Sequence, residues 1–316
     1  MTICALLLYT YIIETMNEKQ TSQLATSLDR EFYENFDTRY FMRKNEYLFF
    51  LLCNLDDYAE KSESVMKYED VKARGGKMKK RERKELEKHL QAEIALNYYH
   101  AIETLFRLFL GHIDIKNSPW LTIATSTNFK KFKKDIKNLI LKESLSIDEK
   151  DFDESLMDIV FMGNAFERGL TDKEKWNENI KRCKEFLKLF AKNILETPHY
   201  NAYKHGLAVF HTDIGIELGD ITLANYSDAF TFIEMKKEVN SNNKYLIKTH
   251  HFTKWKEKLA LTFIVTKFIE NIITVGRIRY LGEKNVFLAF FDRYELEKIL
   301  TPSKDGAIID SFSISL

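Results

Sequence analysis

The sequence predicts a mainly α-helical protein, a multi-helix bundle with a small antiparallel β insertion near residues 207–250, and three observations lead there. Proline and glycine, which interrupt helices, number 3 and 11 in 316 residues, far below ordinary usage. Apolar residues recur at helical spacing through most of the chain up to residue 197. Between residues 207 and 250 that spacing gives way to short runs, Ala208-Val-Phe, Ile214-Gly-Ile and Phe230-Thr-Phe-Ile, of the kind that form strands.

Residues 1–15 stand apart. The run from Thr2 to Ile13 is apolar, has no Lys or Arg before it, is too short to span a bilayer and precedes no small-residue cleavage site. Met16 opens Met-Asn-Glu-Lys-Gln, a polar beginning typical of a cytoplasmic chain. Residues 1–15 are therefore either a misassigned start or a packed apolar element.

From there the spacing predicts a hydrophobic helix over 39–60, centred on Tyr47-Leu-Phe-Phe-Leu-Leu-Cys53. After the Gly75-Gly76 break a long helix runs over 79–111, charged as far as His89 and apolar over 94–110. A Pro-Trp loop follows at 117–126. Phe129, Phe132, Ile136, Leu139 and Ile140 then form an amphipathic stripe, and 153–166 gives a further helix. Thr171 with Glu174 reads as a capping box for the next helix, which Pro198 stops. In the β insertion, Asn240-Ser-Asn-Asn243 marks a hairpin turn whose return strand is Tyr245-Leu-Ile-Lys. A last long helix covers 254–280, before a strand or helix at 286–291 and a tail at 308–314. The expected organisation is a helical bundle over 16–206, the β insertion over 207–252, and a C-terminal helix and tail, 253–316, packed on the bundle.

Composition bounds the function. At 37.3 kDa and 45% hydrophobic the chain can bury a large core. Lys and Arg number 48 against 47 Asp and Glu, a net charge of +1, so no whole-molecule field draws it to nucleic acid or to a membrane. Cys4, Cys53 and Cys183 are too few and too scattered for a disulfide framework or a Cys-x-x-Cys knuckle, which fits a reducing cytoplasm. His250 and His251 are adjacent and would face opposite sides of a strand, and neither His-Glu-x-x-His nor Gly-x-Ser-x-Gly occurs. No metal, cofactor or membrane partner is expected. Two Lys-rich segments, Lys72-Ala-Arg-Gly-Gly-Lys-Met-Lys-Lys-Arg-Glu-Arg-Lys84 and Lys130-Lys-Phe-Lys-Lys134, suit phosphate contacts, but with a nearly neutral chain a solvated face is the better explanation of both. Gly75-Gly76 is not a phosphate loop, because no Gly-Lys-Ser/Thr ending follows and no strand is expected before it.

Two segments hold chemistry. At 100° per residue, Asn97, His100, Glu103, Thr104 and Arg107 form one polar stripe on the otherwise apolar helix. Burying Glu103 and Arg107 is costly unless each is compensated, and their i, i+4 spacing suggests that they pair. Downstream lies His199-Tyr-Asn-Ala-Tyr-Lys-His-Gly206, which would gather the amide of Asn201, the ammonium of Lys204 and the imidazole of His205 at a turn or helix start. Such a group can move a proton near neutrality and hold a developing negative charge. It also reads as a plain turn, with Asn201 capping, His205 bonding a carbonyl and Gly206 easing the backbone.

Tyr99-His100-Ala-Ile-Glu103-Thr-Leu-Phe-Arg107 resembles the early helix of HEPN-type helical domains, in which a Glu precedes a basic residue by four positions. Tyr200-Asn201-Ala-Tyr-Lys-His205 is similar to their later Arg-Asn-x-x-x-His motif. The resemblance implies a helical bundle, a metal-independent ribonuclease site often completed across a homodimer, RNA as partner, and a setting in toxin–antitoxin or phage-defence systems. On that reading His205 is the general acid/base, Asn201 orients it, Lys204 meets the phosphate, and Glu103 with Arg107 supports them. Tyr200 departs from the motif by standing where its Arg belongs. A literal Arg-x-x-x-x-His at Arg107–His112 is set aside, since on a regular helix the two are about 140° apart. The alternative is a non-catalytic helical protein that binds a partner through aromatic surface, with these polar residues serving the core.

Overall fold

The computed structural model describes residues 18–113, 118–126, 128–141, 154–163, 169, 171–196, 200, 209–212, 216–218, 221–224, 229–237, 244–252, 254–284, 286–292, 294 and 300. The protein is mainly α-helical with a small antiparallel β component. Helices α1 (Glu18–Asn35), α2 (Tyr40–Cys53) and α3 (Leu55–Lys61) precede a hairpin of β1 (Val65–Tyr68) and β2 (Val71–Arg74). Then come α4 (Lys80–Ile113), α5 (Pro119–Thr125), α6 (Phe129–Leu141), α7 (Glu154–Met157) with a π-helical turn at Asp158–Met162, and α8 (Lys173–Leu195). Strands β3 (Val209–Thr212), β4 (Ile216–Leu218), β5 (Ile221–Ala224), β6 (Ala229–Lys237) and β7 (Lys244–Phe252) lead to α9 (Trp255–Gly276), which continues as a π-helical turn, Arg277–Leu281.

The chain divides into two compact units, and the divisions fall inside α4, α8 and α9. The first is Met1–Thr38, Thr104–Lys188 and Lys267–Tyr294, and the second is Arg39–Glu103, Leu189–Thr266 and Glu295–Leu316.

The first unit has an aromatic spine. Phe109 stacks on Phe161 at 5.4 Å between ring centroids, Phe161 meets Phe268 edge-on at 5.2 Å, and Phe268 stacks on Phe291 at 4.1 Å. The expected loop at 117–126 is instead a short helix. Ser118 caps it by accepting from the Leu121 amide at 3.3 Å, Pro119 occupies the first turn, and Asp29 of α1 accepts from Ser118 Oγ at 2.8 Å and from the Trp120 amide at 3.1 Å. A proline inside a helix breaks it, but at the first position it removes a donor that had no partner anyway. The helix expected over 153–166 begins at Glu154 and ends at Met162, where Gly163 turns left-handed at φ +54°; residues 164–168 lie outside the described residues. The cap of α8 is Asp172, whose Oδ1 accepts from the Lys175 amide at 2.9 Å, rather than Thr171. Residues 286–291 form neither strand nor helix. Asn271 takes both the amide and the carbonyl of Ala289 at 2.8 Å, and Asn179 accepts from the Phe291 amide, so side chains satisfy the backbone that a sheet would otherwise use.

The second unit builds on Leu48, Leu90 and Ile94, with Leu51, Leu52, Leu86, Trp255 and Leu259 packed around them. Asn97 Nδ2 ties α4 to α2 through the Phe41 carbonyl at 2.8 Å and Asn45 Oδ1 at 2.7 Å. Asn193 Nδ2 donates to the Tyr98 hydroxyl at 2.7 Å, and Lys258 sits over the Tyr98 ring while pairing with Glu257 at 2.9 Å. The β insertion contains an antiparallel β3-β6-β7 sheet and a separate β4-β5 pair; the hairpin turn expected between β6 and β7, residues 238–243, lies outside the described residues. His250 and His251 are consecutive on β7, opposite Thr231 and Phe230. The β1-β2 hairpin was not expected. Its period of two spans only eight residues beside a basic run, which hid it.

One stretch, Trp255–Leu281, is long and apolar enough to cross a membrane by length and composition, and 72% of its most apolar window is buried inside the structure. That is also the burial of a core helix.

Candidate functional site

The polar stripe of α4 exists because the rest of the helix is occupied by core. Ile94, Ala95, Tyr98, Ala101, Ile102, Leu105, Phe106 and Phe109 are wholly or almost wholly buried. Each polar residue of the stripe is anchored in its own way. Asn97 binds α2, as above. His100 is exposed and meets the Phe41 ring edge-on at 5.1 Å.

Glu103 is only 5% exposed, and it accepts a hydrogen bond from the Tyr200 hydroxyl at 3.0 Å. Tyr200 is itself buried, and its ring lies 5.9 Å from that of Tyr99 on the same helix. The bond spans 97 residues and fixes the beginning of the Tyr-Asn-Ala-Tyr-Lys-His segment beside the stripe. It also defines what position 200 does. The hydroxyl is turned inward and bonded to the Glu103 side chain. Asn201, Lys204 and His205 lie outside the described residues.

Arg107, half-buried in the first unit, donates from Nη1 to the Ser126 carbonyl at 2.8 Å and lies over the Phe132 ring at 4.8 Å. The guanidinium therefore closes the end of α5 and covers α6, where Phe132 and Ile136 are buried and Lys130, Lys131 and Lys134 are exposed. Sequence spacing suggested Glu103 as its partner. The tyrosine and the carbonyl that each residue engages are distant in sequence, so no local pattern shows them.

The first unit holds a second polar cluster that the sequence did not single out. His112 is buried, with Nδ1 at 2.6 Å from the Leu108 carbonyl and Nε2 at 2.6 Å from the Tyr33 hydroxyl. A carbonyl only accepts, so Nδ1 carries the proton and Nε2 receives that of Tyr33. Burial pushes the imidazole down to about 4, so it is neutral near pH 7. Burial likewise raises the Tyr33 phenol, which stacks on Tyr280 at 5.1 Å. Asp29, four residues before Tyr33 on α1, is raised by burial against the lowering effect of its bonds to Trp120 and Ser118. Arg107 and His112 thus end on different partners, as their angular separation anticipates. With both ring nitrogens engaged, His112 serves as a clamp between α1 and α4. A signal existed in the sequence, an Asp29-x-x-x-Tyr33 pair on one face of α1, but nothing local links it to His112.

No group of three or more His, Cys, Asp or Glu stands ready to hold a metal among the described residues. No family model, curated protein or solved structure matches this chain.

Proposed function

We propose that this chain carries a HEPN-like site that binds RNA and cleaves it without a metal, acting in the cytoplasm within a toxin–antitoxin or phage-defence system. The observation that supports this reading is the Tyr200–Glu103 hydrogen bond, because it joins the two segments on which the resemblance rests. In this reading His205 takes the proton from an attacking ribose hydroxyl and returns one to the leaving oxygen, Asn201 fixes the imidazole, and Lys204 carries the phosphate charge that Tyr200 cannot. Glu103, held by Tyr200, sets the position of the segment. Arg107, one turn further along the stripe, supports the helix through the Ser126 carbonyl and the Phe132 ring.

The test is cleavage of transfer RNA and total RNA in excess chelator by the full chain and by His205→Ala, with melting curves for both. Cleavage by the parent, lost in a variant that melts at the same temperature, is the expected result. A parent without cleavage, or a His205→Ala variant that cleaves as well as the parent, overturns it.

A specific observation favours the second reading, a partner-binding helical protein. Tyr40, Tyr47 and Phe50 are spaced i, i+7 and i+10 along α2, and Tyr47 and Phe50 are more than 60% exposed. Under that reading Tyr47→Glu and Phe50→Glu abolish association with the partner, and replacing His205 costs stability alone.

A further inference from the structure

The β1-β2 hairpin is exposed on both faces, and the two faces differ. Val65 pairs with Arg74, Met66 with Ala73, Lys67 with Lys72 and Tyr68 with Val71. Directly paired residues share a face, so Lys67, Lys72 and Arg74 stand together on one side, while Met66, Tyr68, Val71 and Ala73 share the other. Every residue of both strands is exposed, Tyr68 to 77% and Val71 to 67%. Opposed lysines repel each other, and an isolated two-stranded ribbon is marginal in water. This hairpin gains no stability from its own composition. Its foot is nevertheless fixed, because Arg74 Nε donates to the Glu63 carbonyl at 3.2 Å and Ser62 Oγ to the Ala59 carbonyl at 2.8 Å.

The cationic face continues beyond the hairpin. Residues 65–84 hold nine Lys or Arg against three Asp or Glu, in a chain whose net charge is only +1. Arg81 pairs with Glu85, and Arg83 with Asp56. Lys67, Lys72, Lys77, Lys79 and Lys80 are all exposed. Positive charge is therefore concentrated in this stretch of chain, whose exposed lysines are complementary to a polyanion.

We propose that the β1-β2 hairpin and the basic turn that follows form a docking arm for single-stranded RNA, with Lys67, Lys72, Arg74 and Lys77 along the phosphates and Tyr68 as a stacking platform for a base. The ribbon is only two strands wide and both faces are exposed, so a flexible strand can track the cationic face and carry a base round the open edge to Tyr68. Aromatic stacking with an electrostatic track is how sequence-tolerant single-strand sites work. Glu69 and Asp70 at the tip, Glu69 with φ +50°, repel phosphate and confine the strand to the faces. We take RNA as the polyanion from the reading above, and the arm's role is separable from that of His205.

The test is fluorescence anisotropy of a labelled 20-nucleotide single-stranded RNA with the full chain, the Lys67→Glu/Lys72→Glu variant and Tyr68→Ala, across a salt series. The charge-reversal variant should bind at least tenfold more weakly, with the slope of log affinity against log salt reduced by about one to two. Tyr68→Ala should weaken binding about tenfold with the slope unchanged. A parent chain that binds the RNA through the arm without cleaving it would defeat the nuclease reading and leave the arm standing. The arm is overturned if the parent does not bind at low salt, if both arm variants bind like the parent, or if the arm variants instead lose adsorption to phosphatidylserine vesicles while keeping RNA. Melting curves of the arm variants should match the parent, since every substituted side chain is exposed.

Discussion

His112 illustrates how a single buried side chain ties stability to pH. Its folded value of about 4 lies below the ordinary histidine value of 6.5, so the unfolded chain binds more protons between those two values. Stability contributed by His112 is complete above about pH 6.5 and is lost as pH falls toward 4, by an amount on the order of 2–3 kcal/mol. Asp29, raised by burial, works in the opposite sense, its contribution fading as pH rises past the carboxylate range. In a His112→Gln variant the decline in urea midpoint between pH 6.5 and 4 should be visibly shallower than in the parent. An equal decline in both would show that other groups carry it. At Tyr200 the expectation concerns a single long-range hydrogen bond. Tyr200→Phe keeps the ring against Tyr99 but removes the hydroxyl that Glu103 accepts from, and should lower stability by about 1 kcal/mol in urea titration. No single-residue pattern foretold either bond. Tyr200 marked a departure from a motif, and only its position against Glu103 shows that the hydroxyl is used.

Among the elements, α1 and the end of α9 meet more closely than side chains allow. Gly276 lies against the Tyr33 ring, and a Cβ there would overlap it. Gly276→Ala should cost about 3 kcal/mol or prevent folding, whereas Gly76→Ala, with nothing within 4 Å of the added carbon, should stay within about 0.5 kcal/mol of the parent. If Gly276→Ala melts like the parent, the close contact does not exist in solution. The pinned 286–291 segment offers a second check. Asn271→Ala frees the amide and carbonyl of Ala289 and should raise hydrogen exchange there by at least tenfold. Helices α4, α8 and α9 and the β6-β7 hairpin were legible because their patterns extend over many residues, whereas the one helix expected over 39–60 is two, α2 and α3, divided at Asn54. The short elements were not. Helix α5 depends on a cap by Ser118 and on Asp29, about ninety residues away, and 286–291 is shaped by asparagines on two other helices.

For the molecule as a whole, charge placement carries more meaning than net charge. A balance of +1 predicts no general attraction to RNA, yet the exposed hairpin and the turn after it, residues 65–79, hold five cations against two carboxylates, a local excess of positive charge. RNA affinity of the full chain should therefore fall steeply between 50 and 200 mM salt, and any cleavage should persist in chelator, measured on the same preparation. An affinity insensitive to salt would rule out a phosphate-tracking surface. The sequence by itself determined the mainly helical class, the location of the β insertion and the polar stripe of α4, because periodicity and the scarcity of helix breakers act locally. Only the tertiary structure decided that Glu103 meets Tyr200, that Arg107 closes α5, that His112 clamps α1, and that a basic stretch rides on a two-faced hairpin. Each of those depends on groups brought together from distant parts of the chain, and burial requires a partner without specifying from where it comes.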